Sequence, residues 1–240
     1  MDNDVIKPKA RPAIHTVILE WFSKQSRGKV LDAPAGFGHL SMNLVEMGYE
    51  VSCGEIEPGI FKAPNCQCVY TDLNRKIDAP DKTFDYTCCV DGLEHMTDPY
   101  TAVKEFSRVL KDGGHGVFSI PNYSNMEKRF GFLMKGYLTK PKTYEDYLKS
   151  NSNLFNFHNS PLTITLLDLV FSVNHLRVDG IMADCVKTNQ RLLLPLVWLM
   201  KGLAKIQSPK SRRKHRTDLT LDERVILGGN TLIFITTKVK

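Results

Sequence analysis

Apolar positions along the first 120 residues alternate between the helical and the extended period. Ile14, Val17, Ile18, Trp21 and Phe22 recur at helical spacing after Pro12, which predicts an amphipathic helix closing near Ser26-Arg27-Gly28. A strand is expected over Lys29–Asp32, followed by the glycine-bearing turn Ala33-Pro34-Ala35-Gly36-Phe37-Gly38. The next helix carries Leu40, Leu44 and Met47 on one face and stops at Gly48, a residue that tolerates the positive φ of a helix C-terminus. With a second strand at Glu50–Glu55, this makes a βαβ unit. Further strands read at Gln67–Tyr70 and Phe84–Val90, the latter apolar on both faces as buried parallel strands are. Asp98-Pro99 caps a helix with Val103, Phe106, Val109 and Leu110 inward, closed by Gly113-Gly114, and Gly116–Ile120 is the fifth strand. This alternation argues for an α/β fold built on an open, doubly wound sheet.

The rhythm breaks twice. Residues 122–159 hold Tyr123, Phe130, Phe132, Tyr137, Tyr144, Tyr147, Phe155 and Phe157 without a clean period, and read as a cap inserted over the sheet. A helix with Ile164, Leu167, Val170 and Phe171 and a sixth strand at His175–Met182 follow. Residues 186–228 are the second insertion, an apolar helix plus a basic loop, before a last strand at Asn230–Thr237. There is no internal repeat. The 240 residues, 42% hydrophobic and 24% charged, suit one domain over 1–240 with a core that needs no disulfide or structural metal. The sequence sets no oligomeric state.

The N-terminal MDNDVIKPKARP lacks an apolar h-region, and the longest apolar run, Leu192–Met200, is far short of the roughly 20 residues that cross a bilayer. Cys53, Cys66, Cys68, Cys88, Cys89 and Cys185 form no C-x-x-C pair and read as free thiols, so a cytoplasmic setting is expected. The formal charge of +6 is local: Lys201, Lys205, Lys210, Arg212, Arg213, Lys214 and Arg216 fall in one stretch without an acid, leaving about −1 elsewhere. Two readings of 192–216 stand side by side. One is an interfacial helix with a basic tail, in peripheral contact with anionic lipid; the other is an apolar helix packed on the domain with a solvated loop behind it.

In open α/β sheets ligands bind beyond the carboxyl ends of the strands, so the loops after the first four strands converge. They carry Asp32, Gly36, Gly38, Glu55, Asp72, Asp91, Glu94 and His95. A diphosphate wants glycine backbone without a carboxylate beside it. Asp32 at the mouth of the turn instead attracts an ammonium or sulfonium. Glu55 at the end of strand two suits the two hydroxyls of a ribose. Asp72 suits an exocyclic amine, or else simply caps its loop.

The run VLDAPAGFGHLSMNLVEMGYEVSCGEIEP resembles the first two motifs of class I S-adenosylmethionine-dependent methyltransferases, with Asp32, Gly36, Gly38 and Glu55 in register. TDLN, FDYTCCVDGLEHM and EFSRVLKDGGHGVFSIPN resemble the later motifs of the branch that includes ubiquinone-biosynthesis and glycan-modifying methyltransferases. The resemblance covers about residues 12–122. It implies a Rossmann-like, mostly parallel sheet with an antiparallel last strand, and S-adenosylmethionine as cofactor, held by Asp32, Pro34, Ala35, Gly36, Gly38, Glu55, Ile56, Asp72, Leu73 and Asp91. Pro34 departs from the family, which usually has glycine there. Proline removes a donor, so the turn must offer Ala35, Gly36 and carbonyls instead.

Methyl transfer to a neutral hydroxyl needs a base within hydrogen-bond reach, and His95 and His158 are the candidates; alternatively His95 only starts a helix and His158 lies on the surface. Asp91, Glu94 and His95 also resemble an acid-acid-histidine grouping that holds magnesium in some ubiquinone-pathway O-methyltransferases; the spacing recurs in metal-free relatives, and no metal is assigned. The expected function is O-methylation of a small or lipid-linked acceptor, a sugar or a quinone-like molecule, with N-methylation or a non-catalytic cofactor-binding module as alternatives. A nucleic-acid partner is not expected: the loop VDGLEH lacks the Pro-Pro-aromatic signature of amino-base methylation, and Cys88-Cys89 lacks the proline of a cytosine-C5 nucleophile. A dehydrogenase would require a nicotinamide diphosphate in this acidic crevice.

Overall fold

The computed structural model describes residues 7, 9–64, 66–150, 153, 155 and 157–240. Most of the leading MDNDVIKPKARP segment, and residues 151, 152, 154 and 156 of the aromatic insertion, lie outside the described residues. Strands β1 (Lys29–Asp32), β2 (Glu50–Glu55), β3 (Cys68–Tyr70), β4 (Phe84–Cys89), β5 (Leu110–Pro121), β6 (Leu176–Ala183) and β7 (Thr231–Lys238) form one sheet in the order β3-β2-β1-β4-β5-β7-β6. The pairs from β3 through β5 are parallel, and β7 runs antiparallel between β5 and β6. The Rossmann-like sheet with its antiparallel last strand is therefore present.

Successive residues of each strand feed opposite faces. Val30, Cys88, Val117, Ile233 and Ile235 meet Ile14, Ile18 and Phe22 of α1 (Pro12–Phe22) and Leu40 and Leu44 of α2 (His39–Glu46). Their neighbours Leu31, Cys89, Phe118 and Phe234 meet Val103 and Phe106 of α3 (Pro99–Val109) and Leu167 and Phe171 of α6 (Ile164–Val173). Phe22, Phe106, Phe118, Phe171 and Phe234 are fully buried, each worth about 1.5–3 kcal/mol of transfer free energy. Asp98 caps α3 by accepting from the Thr101 N–H, with Pro99 in its first turn.

The fifth strand begins earlier than the pattern predicts. α3 ends at Val109, and Leu110, the last residue of its apolar stripe, already pairs with Phe84. Gly113, at φ +76°, and Gly114 do not close the helix but lie inside β5, where a Cβ on Gly114 would meet the Asp85 carbonyl at 2.8 Å. The insertion after β5 is helical in two places, α4 (Met126–Lys135) and α5 (Tyr144–Lys149), each with its own side-chain cap from Asn125 and Thr143. The second insertion holds α7 (Leu194–Ile206), α8 (Pro209–Lys214), α9 (Thr217–Thr220) and α10 (Glu223–Ile226). The stretch expected as a basic loop thus contains helix α8, and Pro195 sits in the first turn of α7. None of the described helices is long and apolar enough to cross a membrane.

Candidate functional site

Strand order reverses between β1 and β4, and the crevice beyond their carboxyl ends opens into a cavity of about 1220 Å³. Asp32, Pro34, Ala35, Gly36, Glu55, Ile56, Asp72, Leu73, Asp91, Glu94, His95 and His158 all line it. Gly38 is not a lining residue. It caps α2 at φ +88°, and a Cβ there would lie 2.6 Å from that of Ala63 and 2.7 Å from the Phe61 ring, so its place is in close packing of the turn.

The first turn is organised by two carboxylates. Asp32, 1% exposed, accepts from the Ser41 hydroxyl at 2.5 Å. Burial pushes its carboxyl up to about 7; the Glu55 charge pushes the same way, while the Ser41 hydrogen bond opposes both. Glu55 accepts from the Gly36 N–H at 2.7 Å and from the Ile56 N–H at 3.0 Å. Pro34 follows a cis peptide bond, and the Ala35 N–H is spent on the Gly54 carbonyl at 2.9 Å. The Gly36 donor that a phosphate would seek is therefore already committed to a carboxylate, which suits a cationic nucleoside and not a diphosphate. Asp72 accepts from the Asn74 backbone and side chain at 3.0 and 3.1 Å and pairs with Arg75 at 3.3 Å, so it caps its loop while lining the cavity.

The opposite wall is made where the cap meets the loop after β4. Asp91, at φ +46°, is held by Ser119, whose hydroxyl donates to its carboxylate at 2.6 Å; burial raises its carboxyl. Glu94 is 1% exposed, its Oε2 has no hydrogen-bond partner among the described residues, and burial, then the Asp91 charge, pushes it up to about 8. His95 Nδ1 lies 3.0 Å from the Phe157 carbonyl, so a neutral ring donates from Nδ1 and its Nε2 carries no proton. His158 stands perpendicular to it with ring centroids 4.9 Å apart, and its Nδ1 is 3.0 Å from the Tyr123 hydroxyl. Burial lowers both imidazoles below the usual histidine range, with His95 adding to the effect on His158. Ser160 stitches the cap to this loop, its N–H donating to the Glu94 carbonyl and its hydroxyl to that of Met96.

The acid-acid-histidine grouping read from the sequence is not the one the fold brings together. The ligand atoms that converge, within 4.8 Å of one another, belong to Glu94, His95 and His158; Asp91 is tied to Ser119 instead. The aromatic cap also divides. Tyr123, Tyr144, Tyr147, Phe155 and Phe157 line the cavity, whereas Phe130, Phe132 and Tyr137 do not and are more than 40% exposed. Cys88 and Cys89 are fully buried and burial drives their thiols well above the normal range, so neither is a nucleophile.

Sequence reasoning missed Tyr123 as a partner of His158, Ser119 as the tether of Asp91, and His15. His15 lies on the inward face of α1 and lines the cavity, 7% exposed, with neither ring nitrogen hydrogen-bonded among the described residues. Burial, with His39 nearby, brings it down to about 4. No local signal separates it from the apolar residues of the same helix face. Lys9 and Arg11, also at the cavity, supply cations near the glycine turn that suit an amino-acid carboxylate.

Residues 31–118 match the methyltransferase domain family model. A ubiquinone biosynthesis O-methyltransferase from Alkalilimnicola ehrlichii is 28% identical over 130 residues, 50% of this chain and 53% of that protein, so the match spans about half that relative's length. Another, from Acinetobacter baumannii, is 23% identical over 170 residues, 63% of this chain and 72% of its own. Among solved structures, a SAM dependent methyltransferase from Archaeoglobus fulgidus superposes with a TM-score of 0.61 at 16% identity, covering 95% of both chains. Domain match, sheet topology and the carboxylate-lined crevice agree in identifying residues 31–118 as a methyltransferase domain of the class I, S-adenosylmethionine-dependent kind.

Proposed function

We propose that the protein methylates an oxygen of a small or lipid-linked acceptor bound beneath the 122–159 segment, with His95 as the base. The observation that carries this reading is His95, its Nδ1 tied to the Phe157 carbonyl, in the cavity that also holds Asp32 and Glu55. S-adenosylmethionine supplies a methyl group on a sulfonium, a carbon already activated by its leaving group. The chain's part is alignment and proton removal, and alignment of this kind is worth roughly 7–11 kcal/mol.

In this reading Asp32, Glu55 and Asp72 hold the cofactor's cationic and hydroxyl groups, with Pro34, Ala35, Gly36, Ile56, Leu73 and Asp91 along its length. The acceptor hydroxyl would give up its proton to His95 as its oxygen takes the methyl group that the bound cofactor would supply. Burial keeps the Tyr123 phenol well above its usual range and therefore protonated, so it donates to His158 Nδ1 and leaves His158 Nε2–H to orient the acceptor. Glu94, protonated at neutral pH, donates to a second acceptor oxygen. The curated relatives bear the name O-methyltransferase, which favours oxygen as the receiving atom.

Incubation with labelled S-adenosylmethionine and fractionated lipid and small-molecule extracts tests the reading. An O-methylated product whose formation His95→Asn abolishes supports it. Label on nitrogen replaces it by N-methylation, and tight cofactor binding without transfer to any fraction replaces it by a binding module. Turnover with and without a chelator separates His95 and His158 as proton carriers from the same residues as ligands.

A further inference from the structure

Helix α7 is apolar on two sides. Leu193, Val197, Met200 and Ala204 face inward, Val197 joining Met126 of α4 and Ile226 of α10 in a small core cluster. On the other side, Leu196, Leu199, Leu203 and Ile206 recur at spacings of three and four, and are 37%, 58%, 52% and 80% exposed. Trp198, 66% exposed, flanks this stripe. A helix apolar all round is ordinarily buried, so the outer face calls for a cover.

The surrounding charge identifies the cover. Three of the seven clustered cations are engaged: Lys201 with Glu223, Arg212 with Asp218 and Arg216 with Asp168. Lys205, which falls one helical turn beyond Lys201, and Lys210, Arg213 and Lys214 on α8 have no carboxylate partner among the described residues, and all four are exposed. A second copy docked through this face would bring two sets of these cations together. An apolar stripe edged by unpaired cations fits a surface with an oily interior and anionic head groups. We infer that the outer face of α7, with Lys205 and the cations of α8, seats the protein on anionic lipid.

Helix α4 packs through Met126 against the inward face of α7, and the segment that leaves α4, Leu138–Thr143, lines the cavity. The inference stands apart from the transfer reaction, because its test reads partition and not turnover.

The test is sedimentation of the full chain with vesicles of phosphatidylglycerol and phosphatidylcholine, or phosphatidylcholine alone. Trp198 emission is followed in a Trp21→Phe background. The expected result is binding to the anionic vesicles with a blue shift of Trp198, weakened by high salt, and little binding to the neutral ones. Each basic residue near the surface contributes about a fivefold factor, so K210Q/R213Q/K214Q should lower the partition by about 100-fold. L199E/L203E should lower it at least about tenfold, while S-adenosylhomocysteine binding and the thermal midpoint stay as in the parent protein. A chain that stays in the supernatant with anionic vesicles overturns the inference. So does wild-type partition of L199E/L203E, which would mean adsorption by charge alone, or a dimer that L199E/L203E dissociates.

Discussion

The Glu55 carboxylate accepts the Gly36 N–H at 2.7 Å, joining the end of β2 to the turn after β1 across 19 residues of chain. The same carboxylate takes the Ile56 N–H, so it fixes both loops over which an adenosine would lie. Replacing it by alanine removes a charged acceptor of two backbone donors, each such bond being worth about 1.5–3 kcal/mol. Glu55→Ala should raise the Kd for S-adenosylhomocysteine about 10- to 100-fold in calorimetry, and Glu55→Gln should fall between it and the parent. An unchanged Kd would reduce Glu55 to a brace of the turn.

Asp32 makes cofactor affinity depend on pH. Its carboxyl titrates at about 7, because burial outweighs the Ser41 hydrogen bond. A cationic ligand prefers the ionised form, so affinity should rise as pH increases from 6 to 8, by up to about tenfold, and then level. Asp32→Asn should bind weakly and without this slope. Ser41→Ala, which deletes the hydroxyl donor to Asp32, should move the rise to higher pH. Calorimetry with S-adenosylmethionine across this range measures all three.

The parts of this site that could be read from the chain are those set by local order. Asp32, Gly36 and Glu55 follow from where strands end and a helix begins, because in a parallel sheet those ends share one rim. His95 and His158 were legible only as candidates, since their meeting depends on how a 122–159 segment without clear periodicity folds back onto the loop after β4. The Ser160 hydrogen bonds that fasten it there are made to backbone carbonyls, which carry no sequence signal. The early start of β5 was hidden for a different reason: Leu110 satisfies both the stripe of α3 and the inward face of a strand, and pairing with Phe84 decides between them.

His15 predicts a signature in stability. Its folded-state pKa is about 4 against 6.5 for an ordinary histidine, so the folded chain excludes a proton that the unfolded chain binds between these values. Above pH 6.5 this costs nothing; as pH falls toward 4, stability is lost, by about 2 kcal/mol at pH 5. Asp32 and Glu94, whose carboxyls are raised, contribute with the opposite sign over part of the same range, so the test is a difference between variants. His15→Leu should raise the urea midpoint at pH 5 relative to that at pH 7, when the same two midpoints of the parent are taken as reference. If His15 also touches the cofactor, the same variant will raise the KM for S-adenosylmethionine.

Glu94 and His95 together set the shape of the pH–rate profile. A base must be neutral, and burial holds His95 below 6.5, so kcat should climb on the acid side with a pKa under that value. Removing it in His95→Asn should cost about 10²–10⁴ in kcat. Glu94, at about 8, must keep its proton to donate to the acceptor, so kcat should fall again above pH 8. Glu94→Gln retains a donor that cannot ionise. It should keep the acid limb and much of the neutral-pH rate but lose the alkaline descent. The opposite pattern, a rate that rises through pH 8 and vanishes in Glu94→Gln, would require the carboxylate itself. Glu94 would then act as a ligand or as a counter-charge to an amine, and the acceptor atom would no longer be a neutral hydroxyl oxygen served by His95.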